Sequence, residues 1–219
     1  MSPVQPLGEE GNRMKPRQFI YFDLGKVLVD FTVERMCQQM SEVAQTTPEE
    51  IHRVLFSDGL ELRYERGLLT TEEFYEEFCR RVGRRVDFQH LAQAAADIFT
   101  WKPETAALAV HLRQAGYRLG ILSNTSPLHW EHCLRRYCVL RETFGVYALS
   151  YRVGHLKPAT EIYQAAIQLA DCPPEEIFFV DDHFANVEGA RAAGLDAVQY
   201  TGPAQLAAEL RRRGYRFNY

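Results

Sequence analysis

The chain lacks most of the features that would place it in a special class. No apolar stretch in its 219 residues approaches the roughly 20 needed to span a bilayer, so no membrane partner is expected. Positive charge is not in excess: 25 Lys and Arg against 29 Asp and Glu leave a net charge of -4, and the basic residues are scattered. That distribution argues against nucleic acid as a ligand. Cysteine is scarce and odd in number. Cys37, Cys79, Cys133, Cys138 and Cys172 show neither the paired spacing of a zinc site nor that of a secreted disulfide scaffold. They read as reduced thiols of a soluble, cytoplasmic protein, and Cys133 and Cys138 are too far apart for the usual short redox pair. The seven histidines, His129, His132, His155 and His183 among them, show no metal-ligand spacing. No internal repeat or low-complexity tract is visible.

What remains is a chain that is 46% hydrophobic, long enough for one core and a small accessory domain. Its first 17 residues are polar and rich in proline and glycine, and a disordered tail is expected there. The segment FIYFDLGKVLVD then runs from an apolar strand into Asp23 and a glycine turn. In an open α/β sheet ligands sit beyond the carboxyl ends of the strands, so a carboxylate at that point is offered to chemistry. Aspartate also ends strands as an ordinary turn residue, and the signal needs company. RLGILSNTS supplies it with a second apolar run ending in Ser123, Asn124 and Thr125, whose hydroxyl and amide groups suit phosphate oxygens. VGHLKPATEIY places Lys157 before Pro158, which reads as the start of a helix. IFFVDDHFANVEGARAAG ends a strand in Asp181 and Asp182, a pair suited to a hard cation.

Between the first two motifs, about residues 31 to 100, the pattern is helical with almost no strand signal. VERMCQQMSEVA, PEEIHRVLF and TEEFYEEFCRRV carry apolar residues at three- and four-residue spacing, and Thr70 with Glu73 resembles a capping box. After Pro103 helices and strands alternate: helix 104–115, strand 118–122, helix 128–137, strand 146–149, helix 159–170, strand 177–181, helix 186–193, strand 196–200. Such alternation implies an α/β fold, a parallel sheet with helices on both faces. The helical stretch would be an inserted cap able to close over the edge that carries the motifs.

A strand-end aspartate, a strand-end serine and asparagine, a lysine at a helix start and a strand-end acidic pair, in that order, resemble the haloacid dehalogenase superfamily over about residues 18 to 200. Within it the chain is similar to bacterial phosphatases with an Asp-Leu-Gly first motif, α-D-glucose-1-phosphate phosphatase among them. The resemblance implies a Rossmann-like core over 18–30 and 101–219, a helical cap over 31–100, and a small phosphorylated metabolite as substrate. Asp23 would be the nucleophile, forming an aspartyl phosphate. Mg2+ would be held by Asp23, the Gly25 carbonyl, Asp182 and Asp181. Ser123 and Asn124 would bind substrate, and Lys157 would join phosphate to nucleophile. The departure is Gly25, where most phosphatases of the superfamily carry a second aspartate as general acid, a group worth about 100- to 10,000-fold. The sequence therefore leaves three readings open. One is a phosphatase for an ester with an easy leaving group, such as a sugar 1-phosphate; another is a dehalogenase; the third is a non-catalytic phosphate-binding protein. In the insertion, Tyr64 or Arg66 could reach a sugar, with surface pairing and core packing the alternatives.

Overall fold

Strand β1 (Phe19–Phe22) alternates strictly: Ile20 and Phe22 join one apolar cluster, Phe19 and Tyr21 another. A strand buried on both faces must lie inside a sheet covered on both sides. The computed structural model, which describes residues 19–219, shows that arrangement, and the expected tail over 1–17 falls outside the described residues.

From β1 the chain passes through β2 (Val29–Asp30) into five helices. These are α1 (Val33–Ala44), α2 (Pro48–His52) continued by a π-helical turn Arg53–Ser57, α3 (Leu60–Glu65), α4 (Thr71–Val82) and α5 (Phe88–Ala96). It returns through β3 (Thr100–Trp101) and then alternates: α6 (Pro103–Gln114), β4 (Arg118–Ser123), α7 (Pro127–Arg136), α8 (Val139–Thr143), β5 (Val146–Leu149), α9 (Ser150–Val153) and α10 (Thr160–Ala170). The last elements are β6 (Ile177–Asp181), α11 (Phe184–Ala192), β7 (Asp196–Gln199) and α12 (Pro203–Arg212). The main sheet has the order β5-β4-β1-β6-β7, every neighbouring pair parallel. On one face Ile162, Tyr163, Val187 and Ala190 of α10 and α11 pack on Phe19, Tyr21 and Phe179; on the other, Leu108, Leu112, Leu206 and Leu210 of α6 and α12 pack with Ile20, Phe178 and Val198. At about 25 cal/mol per Å² of buried apolar surface, these two layers supply most of the driving force for folding.

The helical spacing read from 33–44 and 71–82 matches α1 and α4 residue for residue, and the Thr70 and Glu73 capping box is formed. Two expectations are corrected. Pro158 does not open a helix: it follows Lys157 through a cis peptide bond, and α10 starts at Thr160 behind Ala159. The stretch PEEIHRVLF is not one α-helix, since its second half widens into the π turn. The ribbon of β2 and β3 pairs Val29 with Trp101 and Asp30 with Thr100 at the two points where the insertion leaves and rejoins the sheet.

The insertion rests on the core through the turn after α3. Gly67 has φ 67°, and a Cβ there would lie 2.1 Å from the Tyr151 carbonyl oxygen in α9, so neither conformation nor space admits a side chain. Gly83, at φ 70°, has nothing near its Cβ position. Gly67→Ala is therefore expected to cost about 2–3 kcal/mol and Gly83→Ala about 1 kcal/mol. Thermal unfolding of the two variants checks this; equal shifts in Tm would mean that the contact with Tyr151 is loose.

Candidate active site

Strand order β4-β1-β6 brings three strand ends together. Phe22 pairs with Ile121 on one side and Val180 on the other, so Asp23 follows next to Asp181, and Ser123 ends β4 beside them. The Asp23 N–H donates to the Val180 carbonyl (2.9 Å), which fixes the backbone where the strand stops.

Lys157 is the hub. Its buried ammonium donates to Asp181 Oδ2 (2.6 Å) and the Leu122 carbonyl (2.9 Å), and lies 2.9 Å from Asp23 Oδ1. Three acceptors saturate its three N–H groups. Burial alone would lower the Lys157 pKa, but the two carboxylates reverse this and hold it above its ordinary value. Asn124, expected to bind substrate, lines the cavity and has a further task. Its amide donates to the Lys157 carbonyl (3.0 Å) and accepts from the Lys157 N–H (2.8 Å), so it aligns the backbone of that hub. The Ser123 hydroxyl is buried, with only a long 3.3 Å bond to the Asn124 carbonyl.

Asp23 Oδ1 accepts from the Leu24 N–H (2.7 Å) and faces Lys157, while Oδ2 makes no hydrogen bond among the described residues. Burial pushes its carboxyl up to about 7, with Lys157 pulling down and Asp181 pushing up. Asp181 is fully engaged. Its oxygens accept from Lys157, the His183 N–H (2.8 Å) and, at 3.1 Å each, the Asn186 amide. Asp182 is half-buried and raised above its ordinary value, by burial and then by Asp181.

Oxygen atoms of Asp23, Asp181 and Asp182 lie within 4.8 Å of one another. Three clustered carboxylates against one ammonium leave negative charge uncompensated, and an all-oxygen donor set suits a hard cation such as Mg2+. Of the three, Asp23 through Oδ2 and Asp182 have capacity to spare. The Gly25 carbonyl already accepts from the Val27 N–H (2.6 Å) and keeps one lone pair.

A family model described as haloacid dehalogenase-like hydrolase matches residues 19–194, most of the chain. The chain belongs to the haloacid dehalogenase-like hydrolase family. It is 28% identical over 209 residues to D-ribitol-5-phosphate phosphatase of Bacteroides thetaiotaomicron, covering 87% of this chain and 95% of that protein. A HAD-family enzyme of the same bacterium, crystallised with magnesium and inorganic phosphate, is 27% identical and superposes with TM-score 0.73 over 83% of this chain and 93% of that one. A HAD-like hydrolase from Porphyromonas gingivalis gives TM-score 0.80 at 27% identity, over 92% of this chain and 100% of that one.

The sequence reading missed Glu61, which is buried, and gave no role to Glu65, which is partly buried. Glu61 and Glu65 of α3 line the cavity between insertion and sheet edge, together with Gly25, Ser123, Thr125 and His129. Burial, and for Glu61 also Glu65, pushes them up to about 8 and about 7. Their i, i+4 spacing on the face of the buried Tyr64 was the available signal. Tyr64 itself is occupied, its hydroxyl bonded to Thr71 (2.8 Å) and accepting from the Leu128 N–H (3.3 Å), and Arg66 is exposed. Lys26 pairs with Asp30 (2.6 Å) at the surface, and His183 is exposed. Among the described residues no helix is long and apolar enough to cross a membrane.

Proposed function

We propose that this hydrolase is a Mg2+-dependent phosphatase for a small phosphate monoester, with Asp23 as nucleophile. The observation that carries the reading is the state of Asp23: one oxygen is tied to the Leu24 N–H and a buried ammonium, the other has no hydrogen bond among the described residues, and the carboxylate lies within 4.8 Å of those of Asp181 and Asp182. A carboxylate so held, next to a fixed cation, suits attack on an electrophile that brings negative charge. Asp23 and Asp182, with the Gly25 carbonyl and waters, would hold Mg2+, and Asp181 acts behind them by fixing Lys157. Bound Mg2+ supplies charge neutralisation and alignment of the phosphoryl group.

In the first step a lone pair of an Asp23 carboxylate oxygen forms a bond to phosphorus, the bond from phosphorus to the alcohol oxygen breaks, and the departing alkoxide takes a proton from water. In the second, water attacks phosphorus, freeing inorganic phosphate and the Asp23 carboxylate. Lys157 offsets the charge that builds up, while Ser123 and nearby N–H groups hold the phosphoryl oxygens. Residues 31–100 serve as the cap that excludes water, and the five unpaired thiols fit a reducing, cytoplasmic setting. A dehalogenase would have to bring a carboxylate substrate against three clustered carboxylates, which disfavours that reading.

A side chain at position 25 would have to displace the Phe31 ring. A Cβ on Gly25 would lie 2.9 Å from Cε1 of Phe31, whose ring packs edge-on against Phe99. The leaving oxygen must then depart with little help from this position, which favours an ester such as a sugar 1-phosphate, whose anomeric hydroxyl is more acidic than an ordinary alcohol. The test is phosphate release from sugar 1-phosphates, sugar 6-phosphates and an aryl phosphate, with Mg2+ or EDTA. Metal-dependent release, faster from the 1-phosphates, is expected. Equal or faster release from the 6-phosphates overturns the leaving-group argument, and no release from any ester overturns the phosphatase reading in favour of a phosphate-binding protein.

A further inference from the structure

Once Asp23 carries a phosphoryl group, water has to reach phosphorus from the side away from the Asp23 oxygen, because the attacking and leaving oxygens of such a displacement lie roughly in line. Asp23 stands where β1 ends, on the sheet edge, and the cavity over that edge is closed from above by the insertion. Water attacks faster when a base takes its proton, and Gly25 has no side chain to do so.

Three other groups in the cavity wall could accept a proton: Glu61, Glu65 and His129. Glu61 is buried, and its Oε1 is enclosed without a hydrogen-bond partner among the described residues, so water does not reach that atom. Burial, and then Glu65, pushes it up to about 8, and it keeps its proton at neutral pH. His129 directs Nε2 at the Ala95 carbonyl (3.2 Å), and burial holds its ring down to about 4, which makes it a weak base. Glu65 differs from both. Its carboxyl makes no hydrogen bond or ion pair among the described residues, yet it is not enclosed as Glu61 Oε1 is, so it opens onto the cavity. It enters the wall from α3 of the insertion, whereas Gly25, Ser123 and Asn124 enter from the sheet edge. Burial pushes it up, Lys157 pulls it down and Asp23 pushes it up, so it lies within electrostatic range of the two residues that handle the phosphoryl group.

We propose that Glu65 is the general base of the second step. As the water oxygen bonds to phosphorus, one water proton passes to the Glu65 carboxylate. The bond from phosphorus to the Asp23 oxygen breaks, its electron pair returns to the Asp23 carboxylate, and Glu65 gives its proton to solvent as phosphate leaves. The proposal rests on the phosphatase reading and adds to it the group that ends each turnover.

The test is Glu65→Gln, a nearly isosteric change, assayed with an aryl phosphate and Mg2+ by rapid acid quench. A phenolate leaves without needing a proton, so its first-turnover burst reads formation of the aspartyl phosphate, and the later steady release of inorganic phosphate reads its hydrolysis. The variant is expected to form the aspartyl phosphate at close to the wild-type rate, to hydrolyse it about 100-fold or more slowly, and to hold the phosphoryl group on the protein after the quench. Glu65→Asp keeps the carboxyl and draws it back by one methylene. The same split, smaller in size, is expected there, so the assignment is read in folded protein even if the first variant is unstable. Burst and steady rate falling alike, or neither falling, overturns the assignment, because a merely structural role slows formation and hydrolysis together. Absence of phosphate release from wild type counts against the phosphatase reading, and wild-type turnover with no split in the variants counts against Glu65 alone.

Discussion

Asp23→Asn is expected to lower phosphate release by about a thousandfold or more, because it removes the nucleophile that divides the displacement into two steps. The change is nearly isosteric. The Asn side-chain oxygen still accepts from the Leu24 N–H, and Lys157 keeps Asp181 and the Leu122 carbonyl. One negative charge leaves a cluster of three carboxylates, and with it one oxygen proposed for Mg2+, so the variant is expected still to bind inorganic phosphate, with Mg2+ held by Asp182, the Gly25 carbonyl and waters. Steady-state rates and calorimetric phosphate binding, measured together, check both halves. Retained turnover would remove Asp23 from the role of nucleophile, and lost phosphate binding would show that the substitution had disturbed the pocket.

Lys157→Met should damage both the fold and the chemistry. The ammonium is buried and compensates Asp23 and Asp181, each within 2.9 Å of it. Removing one partner of a buried ionic cluster typically costs about 3–5 kcal/mol, since the remaining charges have neither water nor a counterion. The pH dependence follows from the sign of the shift. Burial already holds Asp23 up to about 7, and loss of the cation that pulls it down raises it further. The folded variant then binds more protons than the unfolded chain, so its stability rises as pH falls through the range between the two pKa values. Wild type gains in the same way below about 7, so the deficit is largest above the variant's raised Asp23 pKa, narrows as pH falls towards about 7 and is flat below it. Denaturant unfolding at several pH values checks this, and a deficit independent of pH would mean that Lys157 stabilises by packing.

Much of the architecture was legible because it is periodic. The strands ending at Phe22, Ser123 and Asp181 are continuous apolar runs, and α1 and α4 show helical spacing with their own caps. What escaped notice is what has no period of its own. Strands of two residues, as in β2 and β3, are too short to alternate. Helix α12, opened by Pro203, followed a run of motifs and was not read at all. At the site, residue type was readable and geometry was not. Asn124 looked like a phosphate ligand, and its amide also clamps the Lys157 backbone, while the adjacent acidic pair is unequal, Asp181 saturated with donors and Asp182 not. Glu61 and Glu65 sit in a charged stretch that would cover a solvated helix face in most proteins. Only the packing of α3 against the core turns that face inward.

The pairing of Val29 with Trp101 has a consequence for how this architecture can be altered. Antiparallel partners are about 5 Å apart, so the chain departs from the sheet and returns to it at what is almost a single point. Everything from 31 to 99 is therefore a loop in the topological sense, however much structure it holds. A two-residue hairpin turn in its place would close the ribbon without moving β1 relative to β4 or β6. By the same geometry the ends of β1, β4 and β6, with Asp23, Ser123 and Asp181, keep their register whatever the segment holds. On the phosphatase reading proposed above, recognition and reaction would be carried on separable pieces of one chain, joined like a cassette in its slot.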